Sequence, residues 1–198
     1  MILNKPLILA SQSPRRQEIL TAAGLTFTVH PADSEFAPDG LSPYDRVCAL
    51  ARSKAEQIAP MHPNSLILGS DTMVVLDNVA LGKPKNKEDA VNMLLSLQGR
   101  THQVMTGVWI VETNGAGESV KSCGFTDVTS VDFYGFTRDE AEEYVATGEP
   151  MDKAGSYGIQ GLGMRFVKAI RGDYFTVMGL PGGPLLQFLT EFQNSPQK

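Results

Sequence analysis

The stretch that most constrains this chain lies at its start, where the apolar run PLIL (residues 6–9) passes directly into ASQSPRRQ (residues 10–17). A short apolar run closed by polar turn residues reads as a buried strand, Leu7–Ala10. Ser13 is an N-cap residue, Pro14 suits the first helical position, and Gly24 ends the helix. A strand that feeds straight into a helix points to an α/β fold. Two adjacent arginines at this helix start are the anomaly. The N-terminus of a helix carries partial positive charge, so cations there are unfavourable unless something anionic sits in front of them. Projected at about 100° per residue, Arg15 and Arg16 fall on the arc of Ile19, Leu20, Ala22 and Ala23, away from Gln17, Glu18 and Thr21. Inward arginines beside the free N–H groups of a helix start form a cradle for phosphate.

The alternation of strand and helix continues. Phe27–His30 reads as a second short strand, and Ser42-Pro43 repeats the cap signal for a helix to about Ala59. Leu66–Gly69 is a third strand, followed at once by Ser70 and Asp71. Thr72–Leu81 then reads as a hairpin around Asp77-Asn78, and Asn86–Gln98 as a helix stopped by Gly99. Beyond it, Thr101–Glu112 and Ser119–Asp132 are long strands joined by the turn NGAGE. Thr137 with Glu140 is a capping-box signal for a helix to about Ala146. The glycine-rich AGSYGIQGLG follows, then two strands flanking Arg171-Gly172-Asp173, and a last helix near Leu185–Phe192. The expected fold is mixed α/β, parallel early and built of hairpins later.

At 198 residues the chain suits one α/β domain, or two small lobes sharing a sheet. Its net charge of −5 argues against a nucleic-acid-binding surface, although a local basic pocket can still hold a nucleotide. No apolar run approaches the ~20 residues that span a bilayer, and the basic residues of the N-terminus follow its apolar segment. The expectation is a cytoplasmic protein with no membrane or nucleic-acid partner. Cys48 and Cys123 lie far apart, and His30, His62 and His102 are scattered, so neither zinc nor a disulfide framework is indicated. Gly82-Lys83 is followed by proline and is no Walker loop. The glycines of YGIQGLG lack the dinucleotide spacing, and GxSxG and HExxH are absent.

Within the helix expected over 44–58, Tyr44, Val47, Cys48, Leu50, Ala51, Ala55 and Ile58 share an arc of roughly 160°. Lys54 lies inside that arc. An inward lysine is either an ion-paired or snorkelling side chain or a functional cation. Asp71 follows its strand as the arginines follow theirs, and open α/β sheets bind ligands beyond the carboxyl ends of strands. If the two strands are parallel neighbours, Asp71, Arg15 and Arg16 face one crevice, with Lys83 a further cation. An aspartate among arginines and lysines suits metal-assisted chemistry on phosphates.

The segments SQSPRR, ARSKAE, GSDTMV, LGKP and DKAGSYGIQG, in this order and spacing, resemble the Maf family of nucleoside triphosphate pyrophosphatases, in particular its dTTP/UTP branch. The resemblance covers nearly the whole chain. It implies one domain over residues 1–198, with an elongated mixed sheet flanked by helices, two lobes around a central cleft, and often a homodimer. It implies that Asp71 is the catalytic acceptor of the water's proton. Ser13, Arg15, Arg16, Lys54 and Lys83 match phosphate-binding positions, and Arg15, Thr72 and Gln160 match positions of base choice. A divalent cation, Mg²⁺ or Mn²⁺, is implied at Asp71 and Glu35. The family's adjacent acids appear here as ADSEF, which leaves Asp33 and Glu35 as alternatives. The family's association with cell-division arrest supplies a second expectation, a nucleotide-binding regulator acting through a partner.

Overall fold

The computed structural model describes residues 2–195. Among them a seven-stranded mixed sheet runs in the order β2-β1-β3-β5-β6-β7, with β4 paired to β3. The strands are β1 (Leu7–Leu9), β2 (Phe27–Val29), β3 (Leu66–Leu76), β4 (Val79–Leu81), β5 (Thr101–Thr113), β6 (Ser119–Phe133) and β7 (Val167–Arg171). The helices are α1 (Pro14–Ala22), α2 (Pro43–Ile58), α3 (Lys87–Leu97), α4 (Arg138–Ala146), α5 (Tyr174–Met178) and α6 (Gly182–Asn194). β1 pairs in parallel with β2 and β3, whereas β3–β5–β6–β7 is antiparallel. The parallel-then-hairpin order read from the sequence is the order observed.

Local signals account for most boundaries. Ser42 accepts the N–H of Asp45 and Asn86 that of Asp89, each capping a helix. Thr137 and Glu140 form the reciprocal capping box. Asp77 and Asn78 both adopt positive φ at the β3–β4 turn, which asparagine and aspartate tolerate best after glycine.

Three expectations are corrected. β3 does not end at Gly69: it runs through Ser70 and Asp71 to Leu76, paired with β5 from Leu66 to Val75. Gly-Ser-Asp is poor strand sequence, but a long antiparallel partner overrides local preference. The segment after Gly172 is the helix α5 rather than a strand. Asp173 accepts the Phe175 N–H at its start, and Gly179 closes it at φ 115°. Its aromatic and β-branched residues favour strand locally, and the caps with a buried Thr176 decide otherwise. Tyr44, placed by projection on the apolar arc of α2, is 49% exposed in the first turn of that helix.

Side chains alternate across a strand, so β3 serves both faces. On one face Leu66 and Leu68 join Leu7, Leu9, Val108 and Ile110 beneath α1 and α6, in an aliphatic core. Further along that face, Val74 and Leu76 join Val104, Val131 and Phe133 beneath α3 and α4, in a second core rich in aromatic rings. Each fully buried aliphatic or aromatic side chain contributes about 1.5–3 kcal/mol. Between the cores, Ser70 and Thr72 carry hydroxyls. The opposite face is covered by α2, through Val47, Ala55 and Ile58 against Ile8, Ile67, Val75 and Met105.

Candidate active site

β1 pairs with β3 at Leu66–Leu68 and β4 pairs with it at Val74–Leu76. Between these spans, on that side, residues 69–73 of β3 have no strand partner. A cleft of 1330 Å³ opens along this gap, lined by the start of α1, the 31–39 loop, α2, β3, Gly82-Lys83, the 152–160 segment and the end of α5. Ser13, Arg15, Arg16, Glu35, Lys54, Asp71, Thr72, Lys83 and Gln160 all line it; Asp33 does not.

Asp71 lies on the α2 face of β3. Two glycines bring that helix close to the sheet. A Cβ at Gly69 would stand 2.0 Å from the Ala51 carbonyl oxygen, and one at Gly107 would stand 2.4 Å from that of Val47. Lys54 therefore reaches the strand, and its Nζ lies 2.6 Å from Asp71 Oδ1 and 2.5 Å from Glu35 Oε2. The Lys54 and Asp71 side chains are each 15% exposed, while Glu35 is half-exposed. The inward lysine is thus ion-paired, and one ammonium holds together two carboxylates from different segments.

Thr72 points to the other face, toward Arg16. The buried Arg16 guanidinium donates from Nε to the Gly179 carbonyl (2.9 Å), from Nη1 to Ser11 Oγ (2.8 Å) and from Nη2 to Thr72 Oγ1 (3.4 Å). Burial lowers its pKa; Asp71 and Glu35 act in the opposite sense. Ser70 Oγ donates to the same Gly179 carbonyl at 3.1 Å. Thr106 donates its hydroxyl proton to the Thr176 carbonyl at 2.8 Å. The 2.9 Å contact between Thr106 and Thr72 must then be donated by Thr72. Toward the cleft Thr72 has only a lone pair to offer.

Ser13 occupies the N-cap of α1, but its side chain makes no capping bond. Its N–H is held by Ser11 Oγ at 3.2 Å. The N–H groups of Arg15 and Arg16 have no partner among the described residues, so the helix start faces the cleft with donors free, beside the half-buried Arg15. Across the cleft, Lys83 follows β4 on a segment tied to the 152–160 stretch by the Gly155 N–H and the Gly82 carbonyl, at 3.1 Å. Lys83 and Gln160 are exposed within the cleft. Sequence reasoning missed Ser11, Ser70, Thr106 and Gly179, which hold Arg16 and Thr72 from behind. Thr106 and Gly179 lie far in sequence from the residues they hold, and nothing local marks Ser11 or Ser70 as their neighbours' partners.

A family model described as Maf-like protein matches residues 6–192. The chain belongs to this family. The Maf-like chain is 44% identical over 191 residues to the dTTP/UTP pyrophosphatase of Bacillus pumilus, covering 96% of this chain and 98% of that protein. It is 46% identical over 189 residues to the dTTP/UTP pyrophosphatase of Desulforamulus reducens, covering 95% and 97% respectively. Among solved structures, the Staphylococcus aureus Ham1 protein is a more distant likeness, with a TM-score of 0.49 and 15% identity over 96% of this Maf-like chain and 100% of that one. No helix among the described residues is long and apolar enough to cross a membrane.

Proposed function

We propose that this chain is a nucleoside triphosphate pyrophosphatase that hydrolyses dTTP and UTP to the monophosphate and pyrophosphate. The observation that carries the reading is the pairing of Asp71 and Glu35 on Lys54, in the cleft onto which the donor-rich start of α1 opens. Water attacks the α-phosphorus, and Asp71 orients it and accepts its proton. Ser13, Arg15 and the free N–H groups of α1 hold phosphate oxygens, while Lys83 and Lys54 neutralise charge on the departing pyrophosphate. Arg16, with its nitrogens engaged by Gly179, Ser11 and Thr72, fixes the helix start and adds its positive field. The 42–47% identity to proteins named dTTP/UTP pyrophosphatase, over most of the chain, supports the same reaction.

No group of three or more His, Cys, Asp or Glu side chains that could hold a metal occurs among the described residues. Two carboxylates suit Mg²⁺ or Mn²⁺ when phosphate oxygens and water complete the shell, which is how Mg²⁺ is commonly held. Asp71 and Glu35 would hold it, and it would supply charge neutralisation on the phosphates. Glu35 is preferred over Asp33, which lies outside the cleft.

The base reading rests on hydrogen-bond sense. Uracil and thymine present an N–H between two carbonyls, whereas the corresponding ring nitrogen of cytosine is an acceptor. Thr72, its proton committed to Thr106, accepts from the former and meets the latter lone pair to lone pair. The Gln160 amide answers a carbonyl. Pyrophosphate release across UTP, dTTP, CTP and GTP, with and without Mg²⁺ or Mn²⁺, tests the proposal. The expected result is a kcat/KM for UTP and dTTP at least ~10-fold above that for CTP or GTP. Preference for GTP overturns the base assignment. Tight binding without turnover of any of them overturns the enzyme reading in favour of a nucleotide-binding regulator.

A further inference from the structure

The glycine-rich run AGSYGIQGLG fits no phosphate-loop pattern, and its folding centres on a residue outside it. Glu149 begins the 3₁₀ turn Glu149–Asp152 that follows α4. Its carboxylate accepts from the Tyr144 hydroxyl at 2.8 Å, the Leu162 N–H at 2.8 Å and the Gly163 N–H at 3.2 Å. The Tyr144 oxygen in turn accepts the Gly158 N–H at 3.2 Å. One carboxylate and one phenol therefore hold both ends of the 158–163 loop, at whose exposed crest stands Gln160. A carboxylate offers about four lone-pair directions, so three donors at these distances fix it firmly.

The glycines are explained by the same packing. A Cβ at Gly161 would lie 2.5 Å from both Glu149 carboxylate oxygens, and one at Gly163 would lie 2.7 Å from the Gly158 carbonyl and the Tyr144 hydroxyl. At Gly158 it would meet Lys153 Cε at 2.8 Å. The loop is wrapped so closely around the Glu149–Tyr144 pair that side chains are excluded at Gly161 and Gly163, whereas at Gly158 only the flexible Lys153 side chain would have to move. Tyr144 is 1% exposed in the second core, against Phe166 and beneath the loop, so the anchor is rigid. Burial pushes the Glu149 carboxyl up, but the bonds from Leu162, Tyr144 and Gly163 outweigh this and hold it below its ordinary range. Gln160 itself has no hydrogen-bond partner among the described residues. Its place in the cleft is set by its backbone alone.

We propose that Glu149 is a positioning residue for base recognition, which, with Tyr144, holds the 158–163 loop so that Gln160 meets the pyrimidine edge. It acts through the loop and touches neither phosphate nor base. This rests on the proposed dTTP/UTP hydrolysis. In Glu149→Gln the side-chain size is kept, but an amide NH₂ replaces one acceptor and faces backbone N–H donors, so the loop must shift.

The test compares wild type, Glu149→Gln, Tyr144→Phe and Gly161→Ala for kcat and KM with UTP, dTTP and CTP. Inorganic pyrophosphate as an inhibitor reads the phosphate side alone. The expected result for Glu149→Gln and Gly161→Ala is a KM for UTP and dTTP raised about tenfold, a UTP-over-CTP preference reduced by a similar factor, and an inhibition constant for pyrophosphate within about twofold of wild type. Tyr144→Phe removes one bond to Glu149 and the acceptor of Gly158; it should shift KM in the same direction by a smaller factor. It decides the question if the Glu149 variant does not fold. Unchanged KM and selectivity in the folded variants overturn the proposal. So does a parallel loss of kcat and pyrophosphate binding, which marks a general structural role. A wild-type protein that hydrolyses none of the nucleotides defeats the dTTP/UTP reading instead, a separate outcome.

Discussion

The two cores that share β3, β5 and β6 hide their polar groups differently. The core beneath α1 and α6 is aliphatic, and at its edge lies a buried charge, Arg16, satisfied by the Gly179 carbonyl and the hydroxyls of Ser11 and Thr72. The core beneath α3 and α4 is aromatic. Phe133, Phe136, Phe166, Tyr144 and Tyr157 meet there in edge and tilted contacts, and its fully enclosed polar pair is neutral, His102 Nε2 against the Tyr157 hydroxyl at 2.7 Å. The difference follows what each side is proposed to face. A triphosphate needs cations held close, and guanidinium keeps its charge when buried because its intrinsic pKa is so high. A base edge needs donors and acceptors in fixed sense, which neutral groups on a rigid aromatic bed supply. One consequence is that acid should act on the second core and spare Arg16.

Asp71 is level with the gap between the two cores but on the opposite, α2-covered face of β3, and its loss gives the largest effect expected. Asp71→Asn should lower kcat by ~10³-fold, as for loss of a general base, while pyrophosphate still binds and the protein still folds. Near-normal turnover in a pyrophosphate-release assay removes Asp71 from the chemistry and makes its pairing with Lys54 merely structural.

The acid contrast comes next in size. Burial lowers the His102 pKa from 6.5 to about 4, with Asp132 pulling weakly the other way, and Nδ1 has no partner among the described residues. The unfolded chain therefore takes up a proton near pH 6.5 that the folded chain refuses until about pH 4. Stability is fully present above pH 6.5 and falls as pH drops toward 4, by roughly 3 kcal/mol in all. Denaturant titrations at pH 7.5 and 4.5 on wild type and His102→Gln measure this. The variant should lose less by most of that amount. An equal loss in both proteins would place the acid sensitivity elsewhere and erase the contrast between the cores.

Lys54 gives the smallest of the three. Lys54→Met leaves Asp71 and Glu35 without their shared partner. The expected cost is about 2 kcal/mol, chiefly from the better-buried Asp71, or roughly 4–8 °C in melting temperature for a chain of this size. Mg²⁺ should recover part of it, because a cation then takes the ammonium's place between the carboxylates. A melting temperature that stays level or rises shows instead that desolvating the lysine outweighs its ion pairs.

What the sequence alone determined about this protein is whatever a few neighbouring residues decide. The capping box at Thr137, the caps at Ser42 and Asn86 and the Asp77-Asn78 turn were legible because each satisfies backbone groups within three or four residues of itself. The inward lysine and inward Arg16 were legible for a related reason, since helical period alone puts a side chain on a face. Their partners were not. That Lys54 meets Asp71 depends on Gly69 and Gly107 letting α2 sink onto the sheet, and that Arg16 bonds Gly179 depends on two segments 163 residues apart. The continuation of β3 through Gly-Ser-Asp and the turning of Tyr174–Met178 into a helix run against local preference, and distant pairing and packing overruled it. The sense of the Thr72 hydroxyl lies furthest from the sequence. It is decided by a hydrogen bond donated by Thr72 to Thr106 while Thr106 donates its own to the Thr176 carbonyl, a chain of donors that exists only once three separate elements are packed together.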